Sequence, residues 1–361
     1  MIKLRRTIIL LSVLAVFLLG ACSNTPAVTT TPDENIETIT VTDSIGREVK
    51  VPEKVERIAA LYSFAGYAVC LLGSGNELVG VPGGLQRDLL LIEIFPDIAD
   101  ASTPRVGGTI NIEELLRIDP DVVLVRKDTV ADDREVEKLD KSGLPYIVVD
   151  YSTMEEQREA ILIIGKAIGK EAEATAFNNY YLGIIDRVSQ IVGDMPEEDK
   201  ITLHHSENQA TRATHESSLA ADWTRAAGVI NVSVGGDLEL VGNDYYASIE
   251  QILLWNPEVI IVNESTAYSL ITGHPQWSGI SAVQNEKVYQ LPNGISRWGH
   301  PGSVETPLAL LWTAKTVYPD LFTHIDMEQE VHDFYKTFFD MELDDEMIAT
   351  VLRGGDLRED K

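Results

Sequence analysis

The sequence predicts an α/β protein with two Rossmann-like lobes, each built on a central, mainly parallel sheet, and joined by a long α-helix. Three observations support this fold class. Short apolar strands alternate with helices in both halves of the chain, as in parallel sheets covered by crossover helices. A segment of the first half recurs in the second half, and an extended helical pattern separates the halves.

The composition is globular and excludes several functions. The 361 residues are 44% hydrophobic and 24% charged, and this length exceeds one comfortable hydrophobic core. Lys and Arg number 29 against 57 Asp and Glu, which gives a net charge of −28. A field of this sign repels phosphate backbones, so nucleic acid is not an expected partner. Two cysteines are too few for a disulfide scaffold or a Cys-rich zinc site.

Residues 1–21 have the features of a signal peptide. Basic residues precede the apolar run Ile8–Leu19, which is shorter than the roughly 20 residues a membrane-spanning helix needs. The run ends in Leu-Gly-Ala-Cys22 and resembles a bacterial lipobox, in which the cysteine thiol takes a diacylglyceryl group. The resemblance implies lipidation of Cys22 and an extracytoplasmic protein anchored to the cell membrane. The alternative is an ordinary signal peptide with an incidental cysteine. Residues 22–37 are expected to form a flexible tether.

The N-terminal lobe, residues 38–151, is expected to open with a β-hairpin over 38–42 and 48–51, where polar and apolar residues alternate around a turn. Strands and helices then alternate. The predicted strands, apolar on both faces, are Ile58–Leu61, Leu78–Val81, Val122–Val125 and Tyr146–Val149, and the predicted helices are Phe64–Leu72, Leu89–Phe95, Ile112–Ile118 and Asp132–Ser142. Cys70 lies in an apolar stretch and is expected to be an inert core residue.

A direct repeat links the two lobes. Residues 111–125 align with residues 248–262, with six of the 15 positions identical. Asn111 and Ser248 are good helix N-caps, and Pro120 and Pro257 stop each helix before a β-branched strand. A single repeat at an offset of 137 residues is too long for a solenoid and fits two lobes built on one plan.

The C-terminal lobe, residues 194–325, is expected to repeat the scheme of the first. Its predicted strands are Ile201–His204, Val229–Val232, Val259–Val262 and Val288–Leu291, and its predicted helices are Ser217–Ala227, Ile249–Trp255 and Val304–Val317. Between the lobes, residues 152–193 form the predicted connecting helix, which begins with a capping box at Ser152 and Glu155 and is interrupted near Gly169. Its second piece alone, Glu171–Val192, is long enough to bridge two lobes, at roughly 30 Å; the alternative is a helix packed within one lobe. Residues 326–361 are expected to form C-terminal helices and a polar tail.

These features together resemble one family, the helix-linked (class III) solute-binding lipoproteins of bacterial ABC importers for iron chelates, haem and cobalamin. The resemblance rests on Val41–Pro52 followed by Glu56-Arg57-Ile58, on the two repeats, and on Arg297–Lys315 followed by Tyr318–Phe322. It extends over residues 38–353. It implies a monomeric, non-enzymatic binding protein that captures a metal chelate between its lobes and delivers it to a permease with its ATPase.

Two positions bear on how such a protein would dock on its permease. Many members of the family carry a docking glutamate in the first helix of the N-terminal lobe, and here Tyr67 occupies the matching position. In the C-terminal lobe, Glu305 begins a predicted helix. Glu305 is therefore either the permease-docking residue or a favourable charge at a helix N-terminus.

The ligand is expected at the carboxyl ends of the strands, where parallel α/β sheets bind ligands. Arginine pairs with planar oxyanions, and Tyr and Trp offer flat amphipathic surfaces, so these residue types at strand ends predict an anionic, partly aromatic ligand such as a ferric siderophore or haem. The candidate ligand-binding residues are Tyr62, Arg87, Arg105, Arg126, His205, Arg212, His215, Tyr246, Arg297, Trp298 and His300.

No metal site or intrinsic cofactor is predicted, because the histidines lack the spacing of metal ligands. His204 and His205 are adjacent on a strand and point to opposite faces. His205, His215 or His300 could still supply an axial ligand to a bound haem. The absence of G-x-S-x-G, H-E-x-x-H and a Cys nucleophile argues against an enzyme. The alternatives left open are a cobalamin- or corrinoid-binding protein, an extracytoplasmic α/β enzyme, and a membrane-tethered adhesin or sensor.

Overall fold

The computed structural model describes residues 37–355 and residue 357. The expectations for the signal peptide, for most of the tether and for Cys22 concern residues outside this part of the chain. Every helix within it is too short or too polar to cross a lipid bilayer. The strands are β1 (Thr38–Thr42), β2 (Glu48–Pro52), β3 (Ile58–Ala60), β4 (Leu78–Gly80), β5 (Arg105–Val106), β6 (Thr109–Ile110), β7 (Val122–Val125), β8 (Tyr146–Val148), β9 (Thr202–Ser206), β10 (Ile230–Asn231), β11 (Glu239–Val241), β12 (Asp244–Tyr246), β13 (Val259–Val262) and β14 (Val288–Gln290).

The helices follow the predicted pattern closely and add several segments to it. They are α1 (Ser63–Leu71), α2 (Leu89–Ile94), α3 (Ile112–Ile118), α4 (Lys127–Val130), α5 (Asp133–Ser142), α6 (Met154–Ala167), α7 (Glu171–Val192), α8 (Leu219–Ala226), α9 (Ile249–Trp255), α10 (Ser265–Gly273), α11 (Ser281–Gln284), α12 (Thr306–Val317), α13 (Met327–Phe339) and α14 (Asp345–Leu352).

Two four-stranded sheets form the centres of two lobes, and all their strand pairs are parallel. The N-terminal sheet has the order β4-β3-β7-β8, and the C-terminal sheet has the order β10-β9-β13-β14. In both sheets the first strand along the chain lies between the second and the third, so the lobes share one topology. The predicted α/β fold class with two lobes is confirmed.

The aligned repeat forms equivalent elements in the two lobes. The Asn111 side chain caps α3 by accepting from the Glu114 amide, and Ser248 caps α9 by accepting from the Gln251 amide. Both helices end at a left-handed residue, Asp119 with φ 43° and Asn256 with φ 47°, before a fully buried strand. The predicted N-caps and strands of the repeat are therefore confirmed.

Two short antiparallel hairpins occur at matching places that the sequence did not predict. The pair β5–β6 precedes α3, and the pair β11–β12 precedes α9. The predicted hairpin at the start of the described chain, β1–β2, is confirmed. It is fastened to β8, because the Asp43 carboxylate accepts from the Val148 amide at 3.2 Å.

The predicted connecting segment forms two helices, α6 and α7, separated at Gly169, which has φ +70°. Helix α6 contacts β1 and α1 of the N-terminal lobe and α8 of the C-terminal lobe. Helix α7 packs against α6 and against α8 and α12 of the C-terminal lobe. The first piece thus contacts both lobes, while the main contacts of the second are with α6 and the C-terminal lobe. The exact lobe boundaries remain a proposal.

The start of α6 differs from the predicted capping box by one residue. Thr153 is the N-cap, and its Oγ1 accepts from the Glu156 amide at 3.1 Å. The Glu156 carboxylate in turn accepts from the backbone N–H of Ser152 at 2.6 Å. The box predicted at Ser152 and Glu155 is therefore wrong, because the helix begins one residue later.

A single hydrophobic cluster runs from one lobe to the other through α6 and α7. It includes Phe64 of α1, Ile161 of α6, Phe177 of α7 and Trp223 of α8. The C-terminal segment adds a second connection, since α13 contacts α1 and the Leu89 amide donates to the Leu357 carbonyl at 2.9 Å. The lobes are therefore held together by shared core packing as well as by the connecting chain.

Candidate ligand-binding site

Polar side chains collect at the carboxyl ends of the strands in both sheets. In the N-terminal lobe, Tyr62, Arg126 and Asp150 follow β3, β7 and β8 closely. In the C-terminal lobe, Glu207 follows β9 and Glu264 follows β13. The carboxyl ends of parallel strands lie along one edge of a sheet, which is where such sheets bind ligands. The predicted location of the site is thus occupied by suitable side chains in each lobe.

The N-terminal cluster is formed around Tyr62 and Arg126. The Tyr62 hydroxyl donates to the Val149 carbonyl at 2.8 Å, and burial raises the pKa of this phenol well above its usual value. Arg126 is half exposed, and its Nε lies 3.4 Å from Asp150 Oδ1. A loose contact of this kind leaves the Arg126 guanidinium available to a ligand.

Arg105 and Arg87 extend this cluster along the loops that follow β4. Arg105 lies on β5, with Nη2 at 3.5 Å from Asp128 Oδ1 and Nη1 at 3.5 Å from the Leu61 carbonyl. Arg87 lies in the turn before α2, and its Nε donates to the Gly83 carbonyl at 3.4 Å. All these distances are at or beyond the long end of the range for hydrogen bonds, so both arginines are weakly held.

Arg297 is the centre of the C-terminal cluster. Its Nη1 donates to Asn208 Oδ1 at 3.1 Å and forms an ion pair with Glu264. Its Nη2 lies 3.3 Å from His300 Nε2. The guanidinium is about one-fifth exposed. It therefore combines a defined position with an accessible edge.

Arg212 is held more tightly than the other predicted arginines. Its Nε lies 3.0 Å from Glu207 Oε2, and its Nη2 lies 2.8 Å from Asp244 Oδ1. Glu207 is buried, and burial raises its pKa although Arg212 opposes this effect. Arg212 also forms a backbone bridge to Tyr246 of β12. The arginine therefore fixes the β11–β12 hairpin to the loop after β9.

The two clusters meet at one segment, the 297–303 loop, which carries Arg297 and His300. The Tyr151 hydroxyl of the N-terminal lobe donates to the Pro301 carbonyl. Gly302 packs so closely on α1 that an added Cβ would lie 3.6 Å from the Ser63 Cβ. The loop that carries Arg297 thus contacts the N-terminal lobe at Tyr151 and Ser63, which are the sequence neighbours of Asp150 and Tyr62.

A cavity of about 290 Å³ lies within the C-terminal lobe beside the His215 ring. That ring stacks on Tyr245 with centroids 4.1 Å apart and an interplanar angle of 16°. The cavity is lined by His215, Glu216, Gly235, Gly236, Asp237, Leu238 and Tyr245. It is small beside the several hundred Å³ typical of sites for large ligands, so it could hold only part of a chelate.

His205 lies inside the C-terminal lobe, on strand β9. It is fully buried and packs edge-on against Trp223. Asn263 Nδ2 donates to the Trp298 carbonyl, so Asn263 Oδ1 must accept from His205 Nε2–H at 2.8 Å. Burial lowers the His205 pKa to about 4. His204, equally buried, lies near Trp255 on the other face of β9, which agrees with the predicted alternation. The prediction that His205 binds ligand is wrong.

His215 and His300 lie in accessible loops. His215 Nδ1 accepts from the Ser217 amide at 3.2 Å, so in a neutral ring Nε2 carries the proton and is a donor. His300 Nδ1 accepts from the Gly302 amide at 3.2 Å, and its Nε2 lies beside the Arg297 guanidinium, which can only donate. A metal ligand needs a nitrogen lone pair. The His215 ring therefore presents an N–H to a ligand, and both ring nitrogens of His300 already face donors.

Trp298 and Glu305 are also fully buried, against expectation. The Trp298 ring lies in the core cluster shared by the lobes and offers no surface to a ligand. Glu305 accepts hydrogen bonds from Ser296 and Tyr335 inside the protein. A permease residue cannot reach this carboxylate, so the docking role predicted for Glu305 is wrong.

Tyr67 is buried as well, with its hydroxyl bonded to Asp88. Cys70 is buried, as expected, and burial raises its thiol pKa.

The acidic partners of the arginines are the residues that the sequence did not predict. They are Asp128, Asp150, Glu207 and Asp244, together with Asn208 and Tyr151. Asp150, Tyr151, Glu207 and Asn208 follow strands closely, whereas Asp128 lies in the short helix α4 and Asp244 lies on β12. A position after a strand is the only signal the sequence offers. Within the described residues, no group of three or more His, Cys, Asp or Glu side chains is placed to hold a metal ion.

The fold and the site define a class of proteins that bind a small molecule between two α/β lobes. The profile of the Periplasmic binding protein family matches residues 99–294, and the chain belongs to this family, as the sequence predicted. It is a substrate-binding component of an ABC importer, which works with a permease and an ATPase, and it is not an enzyme. Proteins of this family act outside the cytoplasm.

Similarity to individual proteins covers nearly the whole chain. The molybdate-binding protein MolA of Haemophilus influenzae is 23% identical over 326 residues, which is 83% of this chain and 90% of MolA. The MolA structure with molybdate has a TM-score of 0.76 at 21% identity, covering 85% of this chain and 99% of MolA.

Two solved structures extend the comparison. A periplasmic solute-binding protein from Veillonella parvula is 25% identical with a TM-score of 0.75, covering 88% of this chain and 97% of its own. The petrobactin-binding protein YclQ of Bacillus subtilis is 17% identical with a TM-score of 0.60, covering 79% of this chain and 99% of YclQ.

Proposed function

We propose that this protein captures an iron chelate, such as a ferric siderophore, in the cleft between its lobes and delivers it to an ABC permease. The observation that carries the proposal is that both lobes offer arginines near strand ends and that the 297–303 loop contacts the N-terminal lobe at Tyr151 and Ser63. Arg105 and Arg126 belong to one lobe and Arg297 to the other. Guanidinium groups on two sides suit a ligand with anionic oxygens on more than one face.

The hydrogen bonds of the histidines favour a coordinatively saturated chelate over haem. Haem needs a side chain that donates a lone pair to iron. The His215 Nδ1 already accepts a backbone N–H group, and both ring nitrogens of His300 lie beside donors, the Gly302 amide and the Arg297 guanidinium. A siderophore supplies all the iron ligands itself. The protein then needs only charge, hydrogen-bond donors and flat surfaces such as the His215–Tyr245 stack.

A bare oxyanion is the second candidate, favoured by the similarity to molybdate-binding MolA. The carboxylates paired with the candidate arginines argue against a bare oxyanion. Arg105, Arg126, Arg212 and Arg297 are accompanied by five carboxylates, on Asp128, Asp150, Glu207, Asp244 and Glu264. A compact dianion would have to displace several of these carboxylates at once, whereas a larger chelate spreads its charge over a wider surface.

The experiment is a titration of the purified mature protein with ferric siderophores, haem, cobalamin and molybdate, followed by tryptophan fluorescence. We expect saturable binding of a ferric siderophore at micromolar Kd or tighter, about −8 kcal/mol or more. Haem and molybdate are expected to bind at least about tenfold more weakly, or 1.4 kcal/mol. Tighter binding of molybdate or haem than of every siderophore would contradict the proposal.

We further propose that Cys22 carries the lipid anchor. This proposal is supported by the lipobox-like sequence that precedes Cys22 and by the extracytoplasmic location of proteins of this family. Two or more acyl chains hold a protein on a membrane stably. In cells, the wild-type protein is expected in the membrane fraction and Cys22→Ser in the soluble fraction, or as an uncleaved precursor. A mature Cys22→Ser protein that stays with the membrane would contradict this anchor.

A further inference from the structure

A buried carboxylate holds the segment that leads into the 297–303 loop. Glu305 is fully buried at the start of α12. Its Oε2 accepts from the Ser296 amide at 2.8 Å and from the Ser296 hydroxyl at 2.7 Å. Its Oε1 accepts from the Tyr335 hydroxyl at 2.7 Å. Ser296 immediately precedes Arg297, so the carboxylate fixes the backbone that presents the arginine.

Residues 294–296 all lie in close contact with Glu305 or Tyr335. The Ile295 amide donates to the Tyr335 hydroxyl oxygen at 2.8 Å, next to the Ser296 bonds. A Cβ added at Gly294 would clash with the Tyr335 hydroxyl and the Glu305 carboxylate. The 294–296 turn can therefore keep this position only while Glu305 and Tyr335 keep theirs.

The groups around Glu305 leave the pKa of its carboxyl near neutral pH. Tyr335 faces it from α13, Tyr180 acts on it from α7, and the Trp298 indole and Ser296 face it from the loop. Asp88 of the N-terminal lobe also acts on Tyr335 through its charge. None of these groups is a cation. Burial therefore raises the Glu305 pKa to about 7 although the hydrogen bonds oppose the shift.

We propose that Glu305 is a positioning residue for Arg297, and that its protonation loosens the 297–303 loop and weakens ligand binding. The ionised carboxylate accepts three hydrogen bonds at once. A proton on either oxygen replaces an acceptor with a donor, so at least one of the three bonds is lost or reversed. The effect on the loop stands by itself, while the effect on affinity rests on the function proposed above.

The first experiment needs no ligand. It follows the backbone amide signals of residues 294–298 by NMR between pH 5.5 and 8.5 in the full mature protein. The wild-type signals are expected to titrate together with a midpoint near the Glu305 pKa of about 7. Glu305→Gln is expected to abolish this transition. A transition that persists unchanged in Glu305→Gln overturns the proposal.

Two further variants separate positioning from a merely structural role. Tyr335→Phe removes one hydrogen bond that favours the ionised carboxylate, so we expect the midpoint to move to higher pH by about half a unit or more. Glu328→Gln is the matched control, because Glu328 lies in the first turn of the same helix and is exposed. It is expected to leave the midpoint unchanged. A midpoint that does not move in Tyr335→Phe also contradicts the assignment.

The second experiment measures the Kd of a ferric catecholate siderophore at pH 6 and pH 8. The wild-type protein is expected to bind about tenfold more weakly at pH 6, since bonds to a charged group are at stake. Glu305→Gln is expected to bind equally at both pH values, with the weaker affinity. If the Kd depends equally on pH in wild type and in Glu305→Gln, the proposed coupling between Glu305 and ligand binding is overturned. Absence of siderophore binding at any pH contradicts the function proposed above and leaves the NMR result to decide the role of Glu305.

Discussion

Arg297 is the residue on which the proposed site depends most directly. It touches Asn208, Glu264 and His300 and retains an accessible edge. Arginine forms a planar fork that lysine cannot reproduce. The residue therefore combines orientation with charge, which is the property expected of a contact that determines affinity.

We predict that Arg297→Ala weakens binding of a ferric siderophore by about 1–3 kcal/mol, in the range of interface hot spots. Arg297→Lys is expected to recover less than half of this loss. The measurement is a fluorescence titration of each variant. Lys141→Ala, which removes a cation from an exposed pair with Glu137 on α5, is the control. Equal affinity of Arg297→Ala and wild type would remove this residue from the site.

For Trp298 we predict an effect on stability rather than on ligand binding, because its ring is fully buried. Trp298→Ala is expected to lower the free energy of unfolding by about 3–5 kcal/mol, as large-to-small core substitutions do. Trp298→Phe should lose clearly less. Denaturant unfolding measures both. A Trp298→Ala protein of wild-type stability would contradict the core position of this ring.

The sequence predicted which residues follow the strands but not which way they face. Arg297 and Trp298 are neighbours, yet one is partly exposed and the other is core. The difference arises from packing against α8 and α12, which lie elsewhere in the chain. Glu305 likewise matched a surface position by sequence, and only the approach of Tyr335 from α13 shows that it is buried.

At the scale of elements, the long periodic segments were predictable and the short ones were not. Helices α3 and α9 and strands β7 and β13 have the bounds expected from the repeat. The hairpin strands β5 and β6 have two residues each, too few for an alternating pattern to be recognised. Their position depends on Arg105 and on the turn glycines, so it follows from tertiary contacts.

The start of α6 provides a test of local structure. Thr153→Ala removes the N-cap hydrogen bond and is expected to lower the free energy of unfolding by about 1 kcal/mol. Ser152→Ala is the matched control, because Ser152 contributes its backbone N–H to Glu156. Urea unfolding of both variants measures the loss of unfolding free energy in each. A larger loss in Ser152→Ala than in Thr153→Ala would restore the cap predicted from sequence.

At the scale of the whole molecule, buried titratable groups give the stability a defined pH dependence. Burial lowers the pKa of His204 from 6.5 to about 3 and that of His205 from 6.5 to about 4. The unfolded chain therefore binds protons that the folded protein does not. The stabilisation from these neutral histidines is complete above pH 6.5 and is lost as the pH falls toward 4. Glu305 acts in the opposite sense, because its folded pKa of about 7 exceeds the ordinary 4.5.

We predict that His204→Leu makes the protein less sensitive to acid. Between pH 4.5 and 5.5, below the unfolded pKa of 6.5 and above the folded pKa of about 3, the slope of unfolding free energy against pH should fall by about one proton, or about 1.4 kcal/mol per pH unit. The measurement is urea unfolding of wild type and variant at several pH values. An unchanged slope would show that His204 does not remain neutral in the folded protein.

The shared core and the 297–303 loop together explain how two similar lobes could form one site. Each lobe alone offers arginines at the edge of its sheet. The loop from the C-terminal lobe reaches Tyr151 and Ser63 of the other lobe, so a ligand beside it would contact both. This arrangement is the central claim of the account, and it can be tested by removing one arginine from each side.

The most direct test is the Kd of a ferric siderophore for Arg105→Ala, Arg297→Ala and the double variant. A ligand held between the lobes should bind each single variant about tenfold or more weakly, and the double variant more weakly than either. Loss of affinity on one lobe only, or on neither, would show that the ligand does not bridge the two sheets.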